Sequence, residues 1–312
     1  MRDSPAERLE ALALGLAEDE VEFHRSRSLA RLTSWRIGGP GDLFVAPNDR
    51  RSLSAALGRA SVIGVPVTFI GGGTNLLVSD KGVRGLVIKL GKGFDYIRWD
   101  EEGGEKATVE VGAATKLARL VRETVDAGYG GLEFAAGIPG LVGGGTLMNA
   151  GAFGGELGEA IQSIEVADGQ GQVSRIGTTD LQFSYRKLAL QADRVLISVG
   201  FELLRSSTSR LRSAVEVVQR KRRKKQPVGH PNAGSVFRNP PGEYAGRLIE
   251  RAGLKGTQLG AARISDEHAN FIVNLGDARA DDVRRLMQLV QDSVWERSGV
   301  WLEPEVRMLG EW

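Results

Sequence analysis

The chain of 312 residues is long enough for two compact domains, and with 41% hydrophobic and 26% charged residues it can bury a core and is not a disordered chain. Its 41 basic residues against 39 acidic ones leave a formal charge of +2, which argues against a chain built as a whole to wrap nucleic acid or to lie on an anionic membrane. The absence of cysteine excludes disulfides, thiolate nucleophiles, iron–sulfur clusters and cysteine-built zinc sites, and with only His24, His230 and His268 and no HExxH, a histidine metal centre is not expected either.

Residues 5–18 read as a short helix on a loosely attached N-terminal arm. Asp3, Glu7 and Glu10 leave no apolar core for a signal peptide. Short apolar runs predict strands over Val65–Ile70, Gly85–Leu90, Phe94–Trp99 and Thr108–Val111, with the acidic 100–106 stretch as a hairpin loop. Leu117, Leu120, Val121 and Val125 share a face, so a helix is predicted over 115–127, ending at Gly128. The uncharged run Phe134–Gly155 is long enough to span a bilayer, but its glycines and Pro139 make it a soluble loop-and-turn region. A second hairpin is expected around Asp168-Gly169, then a strand over 195–204. Ser206-Ser-Thr-Ser marks a domain boundary. Beyond it, helices are predicted through Leu211, Val215 and Val218, over 243–253, and through Val283, Leu286, Met287, Val290 and Val294, with strands at 270–274 and 305–309. Strands and helices mix without strict alternation, so the fold class is α+β. Nothing in the pattern calls for a membrane, and a cytoplasmic protein is expected.

Glycine is the anomaly: 42 residues, about twice the usual share, and clustered. One cluster, Gly71-Gly-Gly-Thr-Asn75, directly follows a predicted strand, where positive φ would turn successive N–H groups into an anion nest with Thr74 and Asn75 as further donors. The second runs Gly137-Ile-Pro-Gly140, Gly143-Gly144 and Asn149-Ala-Gly151, where Gly140 would open a helix with its N-terminus toward a phosphate. Neither is a dinucleotide GxGxxG or a P-loop. A single glycine is more often only a turn; two dense clusters favour a diphosphate-bearing ligand such as a dinucleotide.

At nine places in order the chain resembles the UDP-N-acetylenolpyruvoylglucosamine reductases: Ser34-Trp-Arg-Ile-Gly-Gly, Gly71-Gly-Gly-Thr-Asn-Leu-Leu-Val, Gly137-Ile-Pro-Gly-Leu-Val-Gly-Gly, Met148-Asn-Ala-Gly-Ala, Tyr185-Arg, Ala233-Gly-Ser-Val-Phe-Arg-Asn-Pro, Ala252-Gly-Leu-Lys-Gly, His268-Ala-Asn-Phe-Ile-Val-Asn and Leu302-Glu-Pro-Glu-Val-Arg. The resemblance implies an FAD-binding fold of the vanillyl-alcohol oxidase-like (PCMH) type in two subdomains over 20–205, after an arm over 1–19, and a substrate-binding domain over 206–312. It implies FAD as cofactor, NADPH as reductant, a UDP-sugar as substrate and a place in peptidoglycan precursor synthesis. Forty-eight residues separate Arg186 from Ser235, none of them tyrosine, which matches the family's short second type, lacking an inserted closing loop. Leu141 and Gly145 depart from the residues common there.

By the same resemblance, Gly71, Gly72, Gly73, Thr74, Asn75, Gly137, Ile138, Pro139, Gly140, Gly143, Gly144, Asn149 and Gly151 are expected at the cofactor. Arg186, Ser235 and Glu305 are the expected catalytic set, and Lys225, Asn239, Lys255 and His268 the substrate contacts. The chemistry agrees: reducing an enol ether that bears a carboxylate needs a hydride donor, which no side chain supplies, a cation at the carboxylate and an acid at the adjacent carbon. Each residue also has an ordinary role: Arg186 as a surface arginine, Ser235 in a turn, Glu305 paired with Arg307, His268 as a structural histidine. Two other functions stay open on the sequence: an oxidase or dehydrogenase of the same fold, and a nucleic-acid binder using Arg220-Lys-Arg-Arg-Lys-Lys225, a run more often found as the solvated end of a helix.

Overall fold

The computed structural model describes residues 4–100, 104–223, 226–227 and 229–312. The chain forms two compact units: Met1–Arg25, Leu43–Gly72 and Gly85–Arg222 make the first, Ser26–Asp42, Gly73–Arg84 and Arg223–Trp312 the second.

In the first unit, α1 (Pro5–Glu18) starts with proline in its first turn and a capping box in which Ser4 accepts from the Glu7 N–H while Glu7 reaches back. It is not a loosely attached arm. Leu12 and Leu16 are fully buried, in one cluster with Leu53, Ala56, Leu57 and Ala60 of α2 (Arg50–Ile63). Arg59 of α2 also grips Asp19 through two bonds of 2.8 and 3.0 Å. These contacts outweigh the polar residues that make the segment look detachable.

An antiparallel sheet orders Val173–Gly177, Ile161–Ala167, Val195–Arg205, Lys106–Gly112 and Ile97–Trp99, with Tyr129–Gly130 also paired to Val195–Arg205. The central strand is buried along most of its length, as its unbroken apolar run demands. Leu117, Leu120, Val121 and Val125 of α3 (Leu117–Ala127) bury in the same core, and Gly128 ends the helix at φ +81°, a conformation suited to glycine. The short α4 (Val142–Leu147) and α5 (Thr208–Arg223) complete the unit.

The second unit holds a three-stranded antiparallel sheet, Gln258–Leu259, Ala262–Ile264 and Ile272–Asn274. Its core takes Leu248 and Ile249 from α6 (Ala245–Arg251) and Val283, Leu286, Met287, Val290 and Val294 from α7 (Ala280–Ser298). Trp35 is fully buried in that core and its Nε1–H donates to the Ile272 carbonyl at 2.7 Å. Leu76–Val78 pairs in parallel with Arg307–Leu309, so a segment from early in the chain is stitched to the last strand. Among the described residues no helix is long and apolar enough to cross a membrane, and no group of histidine and acidic side chains is placed to hold a metal.

Candidate active site

Within the first unit, the Gly71-Gly72 start of one glycine cluster lies against the 137–140 loop of the other. A Cβ on Gly72 would lie 3.0 Å from the Gly140 Cα, so the two backbones pass close enough that a side chain at 72 would force one of them to give. Lys89 Nζ donates to the Gly71 carbonyl. Within the triplet only Gly73 has a positive φ, +65°, and there a Cβ would collide with the Leu32 carbonyl; its freedom serves backbone packing in the second unit and not a nest of three N–H groups. Gly137 and Gly140 do turn through positive φ, +82° and +120°. Ile138 is half-buried against the core and Pro139 is exposed.

The helix that Gly140 opens is short, six residues. Its Val142 and Gly143 N–H groups are taken by the Thr115 and Ala113 carbonyls, so the phosphate-facing helix end expected from the sequence is not formed by those donors. Three glycines in a row inside this helix cost stability and call for reasons. Gly143 has one, since its Cβ would sit 2.9 Å from that of Ala113, and so has Gly145, 2.9 Å from Leu117 Cδ1. Gly144, like Gly71, would meet no described atom within 4 Å. Protein packing therefore does not explain glycine at either position, whereas a large planar ligand lying across both would. In that respect the residues present fit FAD.

Asn149 is fully buried at φ +39°, and its side chain is spent on the protein: Oδ1 accepts from the Gly158 N–H at 3.0 Å and Nδ2 donates to the Ser184 carbonyl at 3.2 Å. Ser184 is the last paired residue before the turn of the hairpin Phe183–Leu188, and that turn is Tyr185-Arg186. Arg186 sits in that turn at φ +56°, a strained backbone for a residue with a Cβ, and its guanidinium lies 5.0 Å from the Tyr185 ring. A Cβ on Gly151 would come 2.7 Å from the Gly155 carbonyl oxygen and 3.0 Å from the Glu156 Cβ, so this glycine serves first the close pairing with 155–156, with Arg186 Nη1 next at 3.3 Å.

Arg222 near the end of α5 was not singled out from the sequence. It follows Leu211, Val215 and Val218 at spacings of four, three and four, the inward stripe of the helix. That periodicity was the available signal, hidden by the cationic neighbours. Its Cδ lies 3.1 Å from where a Gly137 Cβ would be, and buried Nε and Nη1 have no hydrogen-bond partner among the described residues. Burial, and then the charge of Arg186, hold its pKa below that of an ordinary guanidinium.

In the second unit, the backbone next to Ser235 meets that of Glu305. The Glu305 and Val306 N–H groups both approach the Val236 carbonyl, at 2.8 and 3.4 Å, and Phe237 pairs antiparallel with Pro304. Asn75 Nδ2 donates to the Glu305 carbonyl at 3.0 Å and the Asn75 carbonyl accepts from the Arg307 N–H, so Asn75 braces the glutamate's backbone. Asn270, 3% exposed, clamps Phe237 from both sides, accepting from its N–H at 2.9 Å and donating to its carbonyl at 2.8 Å, while its own carbonyl takes the Val236 N–H. Asn270 lies in the turn before the strand Ile272–Asn274 and not in the strand expected over 270–274.

Of the expected substrate contacts, Asn239 is exposed and accepts from the Ala245 N–H at the start of α6, and Lys255 pairs with Glu250 at 2.7 Å. His268 Nδ1 accepts from the Asn270 N–H at 3.2 Å and its ring packs edge-on to Phe271. Lys225 and the end of the basic run lie outside the described residues. Arg186 belongs to the first unit, Ser235 and Glu305 to the second.

The FAD binding domain profile matches residues 41–177, and that of the UDP-N-acetylenolpyruvoylglucosamine reductase C-terminal domain matches 226–309. UDP-N-acetylenolpyruvoylglucosamine reductase 2 of Symbiobacterium thermophilum is 44% identical over 306 residues, covering 98% of this chain and 96% of the relative. The reductase of Halalkalibacterium halodurans is 43% identical over 307 residues, 98% of each. The crystal structure of UDP-N-acetylenolpyruvylglucosamine reductase (MurB) from Thermus caldophilus superposes with a TM-score of 0.79 at 38% identity, covering 93% of this chain and 98% of that one.

Proposed function

The chain belongs to the UDP-N-acetylenolpyruvoylglucosamine reductase family, and from that premise we propose that it reduces the enolpyruvyl ether of UDP-N-acetylglucosamine to the lactyl ether, UDP-N-acetylmuramate, for peptidoglycan precursor synthesis, with NADPH as the source of electrons. FAD, held by the 71–72 and 137–144 loops, supplies the hydride when bound. The rest falls to side chains. Arg186 pairs its guanidinium with the substrate carboxylate and gains strength as negative charge spreads into it. With the hydride on the terminal alkene carbon, the alkene electron pair resides on the adjacent carbon. Ser235 gives its hydroxyl proton to that carbon and is reprotonated from solvent. Glu305 hydrogen-bonds the enol-like carboxylate. Lys225, Asn239, Lys255 and His268 are proposed to hold the nucleotide sugar, and a cytoplasmic location suits a reaction that consumes NADPH and a nucleotide sugar.

The observation that supports this reading is the antiparallel seating of 304–306 against 236–237, with Asn75 and Asn270 fastening the two segments; the backbone next to Ser235 is thereby held against that of Glu305, from a distant part of the sequence. Splitting the half-reactions tests it. In Ser235→Ala, NADPH should still bleach the flavin, while substrate should no longer restore the colour at a useful rate. Unchanged reoxidation would remove Ser235 from its role.

A further inference from the structure

Arg222, whose Nε and Nη1 are buried without a partner among the described residues, is not used in the chemistry above. A buried guanidinium without a carboxylate partner is costly, and a second cation nearby makes it costlier. Surface arginines at a helix end turn into water; this one is on the apolar stripe with Leu211, Val215 and Val218, over Gly137 of the 137–140 loop. Its Nε and Nη1 are buried and unsatisfied among the described residues. An anion placed there would satisfy both nitrogens and offset the neighbouring charge.

We infer that Arg222 is an anion-pairing residue of the active site, presented for a delocalised oxyanion beside Arg186. Two sources carry that chemistry: the carboxylate of the enolpyruvyl group, which a pair of guanidiniums would share, and the N1–C2=O edge of the flavin, which becomes negative on reduction. Both engage a planar fork bidentately, which a lysine cannot do. The inference rests on the functional reading above and deepens it, since it takes one residue of the basic run out of the solvated face and gives it a ligand.

The test uses Arg222→Met and Arg222→Lys in the full chain. Met suits an apolar stripe, so the apoprotein melting temperature should stay level or rise. A clear fall would mean that Arg222 is satisfied within the protein, and would overturn the inference. Sulfite, whose adduct with oxidised flavin places negative charge on the N1–C2=O edge, probes the flavin source in the holoenzyme. Substrate titration of the oxidised holoenzyme, read from the flavin spectrum, probes the carboxylate source. The Met variant should weaken sulfite or substrate binding at least tenfold, and the Lys variant by less. Weakening confined to sulfite assigns Arg222 to the flavin, and weakening confined to substrate assigns it to the carboxylate. Both affinities within twofold of wild type in an FAD-loaded Met variant would overturn the inference. A wild-type chain that takes up no FAD would instead refute the functional reading itself.

Discussion

Gly144→Ala should make the apoprotein more stable and the holoenzyme harder to form. The residue lies inside α4 with helical backbone, and a Cβ there meets no described atom within 4 Å. Alanine in place of a mid-helix glycine then gains about 0.5–1 kcal/mol, with no steric cost to subtract. For a chain of this size that is a rise of roughly 1–3 °C in melting temperature. If the flavin rests on this face of α4, the same methyl intrudes on it. Overpacking of this kind costs on the order of 1–3 kcal/mol, or a five- to hundredfold weaker FAD affinity. Gly145→Ala, one residue on, is the control, because its Cβ would press on Leu117 at 2.9 Å and Leu157 at 3.1 Å. That variant should lose stability by a similar amount with FAD affinity little changed. The assays are thermal melting of both apoproteins and FAD titration by flavin fluorescence. A Gly144→Ala protein that binds FAD like wild type, or melts lower without it, would refute the reasoning that this glycine is kept clear for a ligand.

Asn149→Asp removes the Nδ2 donor and sets a carboxyl oxygen against the Ser184 carbonyl in a site closed to water; melting should report a loss of about 2–3 kcal/mol, and substrate-driven flavin reoxidation should slow because the Arg186 turn loses its tether. Wild-type reoxidation in a folded Asn149→Asp protein would show that the tether does not position Arg186. Tyr96 donates to Glu110 at 2.7 Å, and its pKa is raised to about 12, first by burial and then by the glutamate. Its neutral form is the one the fold favours, so this contribution to stability is complete below the ordinary tyrosine pKa near 10 and is lost as pH climbs toward 12. Alkaline difference absorbance should show one late-titrating phenol that Tyr96→Phe abolishes; its presence in the variant would count against the assignment.

What could be read from the sequence followed local periodicity. The stripe of α7, the helix ending at Gly128 and the hairpin at Asp168-Gly169 have short-range signals strong enough to survive folding. Helix α2 carries Leu53, Ala56, Leu57 and Ala60 at helical spacing, but arginines and serines interleave and obscure it. The strand Phe23–Ser28, with four exposed residues, has no alternation to detect. Nor does any local pattern announce that residues 73–84 join the C-terminal unit, since that depends on a parallel pairing with 307–309 more than two hundred residues away. Motif order singled out Ser235 and Glu305, and the fold brings the backbone segments next to them into contact. Composition alone could not tell which glycines are there for a ligand. Gly73, Gly143 and Gly145 are explained by the protein's own packing, whereas Gly71 and Gly144 are not. Asn75 and Asn149, expected at the cofactor, direct side-chain hydrogen bonds to the backbone, bracing Glu305 and the Arg186 hairpin.

On the proposed function, electrons pass from NADPH through bound FAD to an enolpyruvyl nucleotide sugar. Anaerobic absorbance spectroscopy of the FAD-loaded protein tests it in one cuvette. The visible flavin band should bleach on addition of NADPH and return on addition of one equivalent of UDP-N-acetylenolpyruvoylglucosamine. A band that NADPH bleaches but the enolpyruvyl sugar fails to restore would contradict the assigned substrate, and a protein that cannot be loaded with FAD at all would contradict the account at its root.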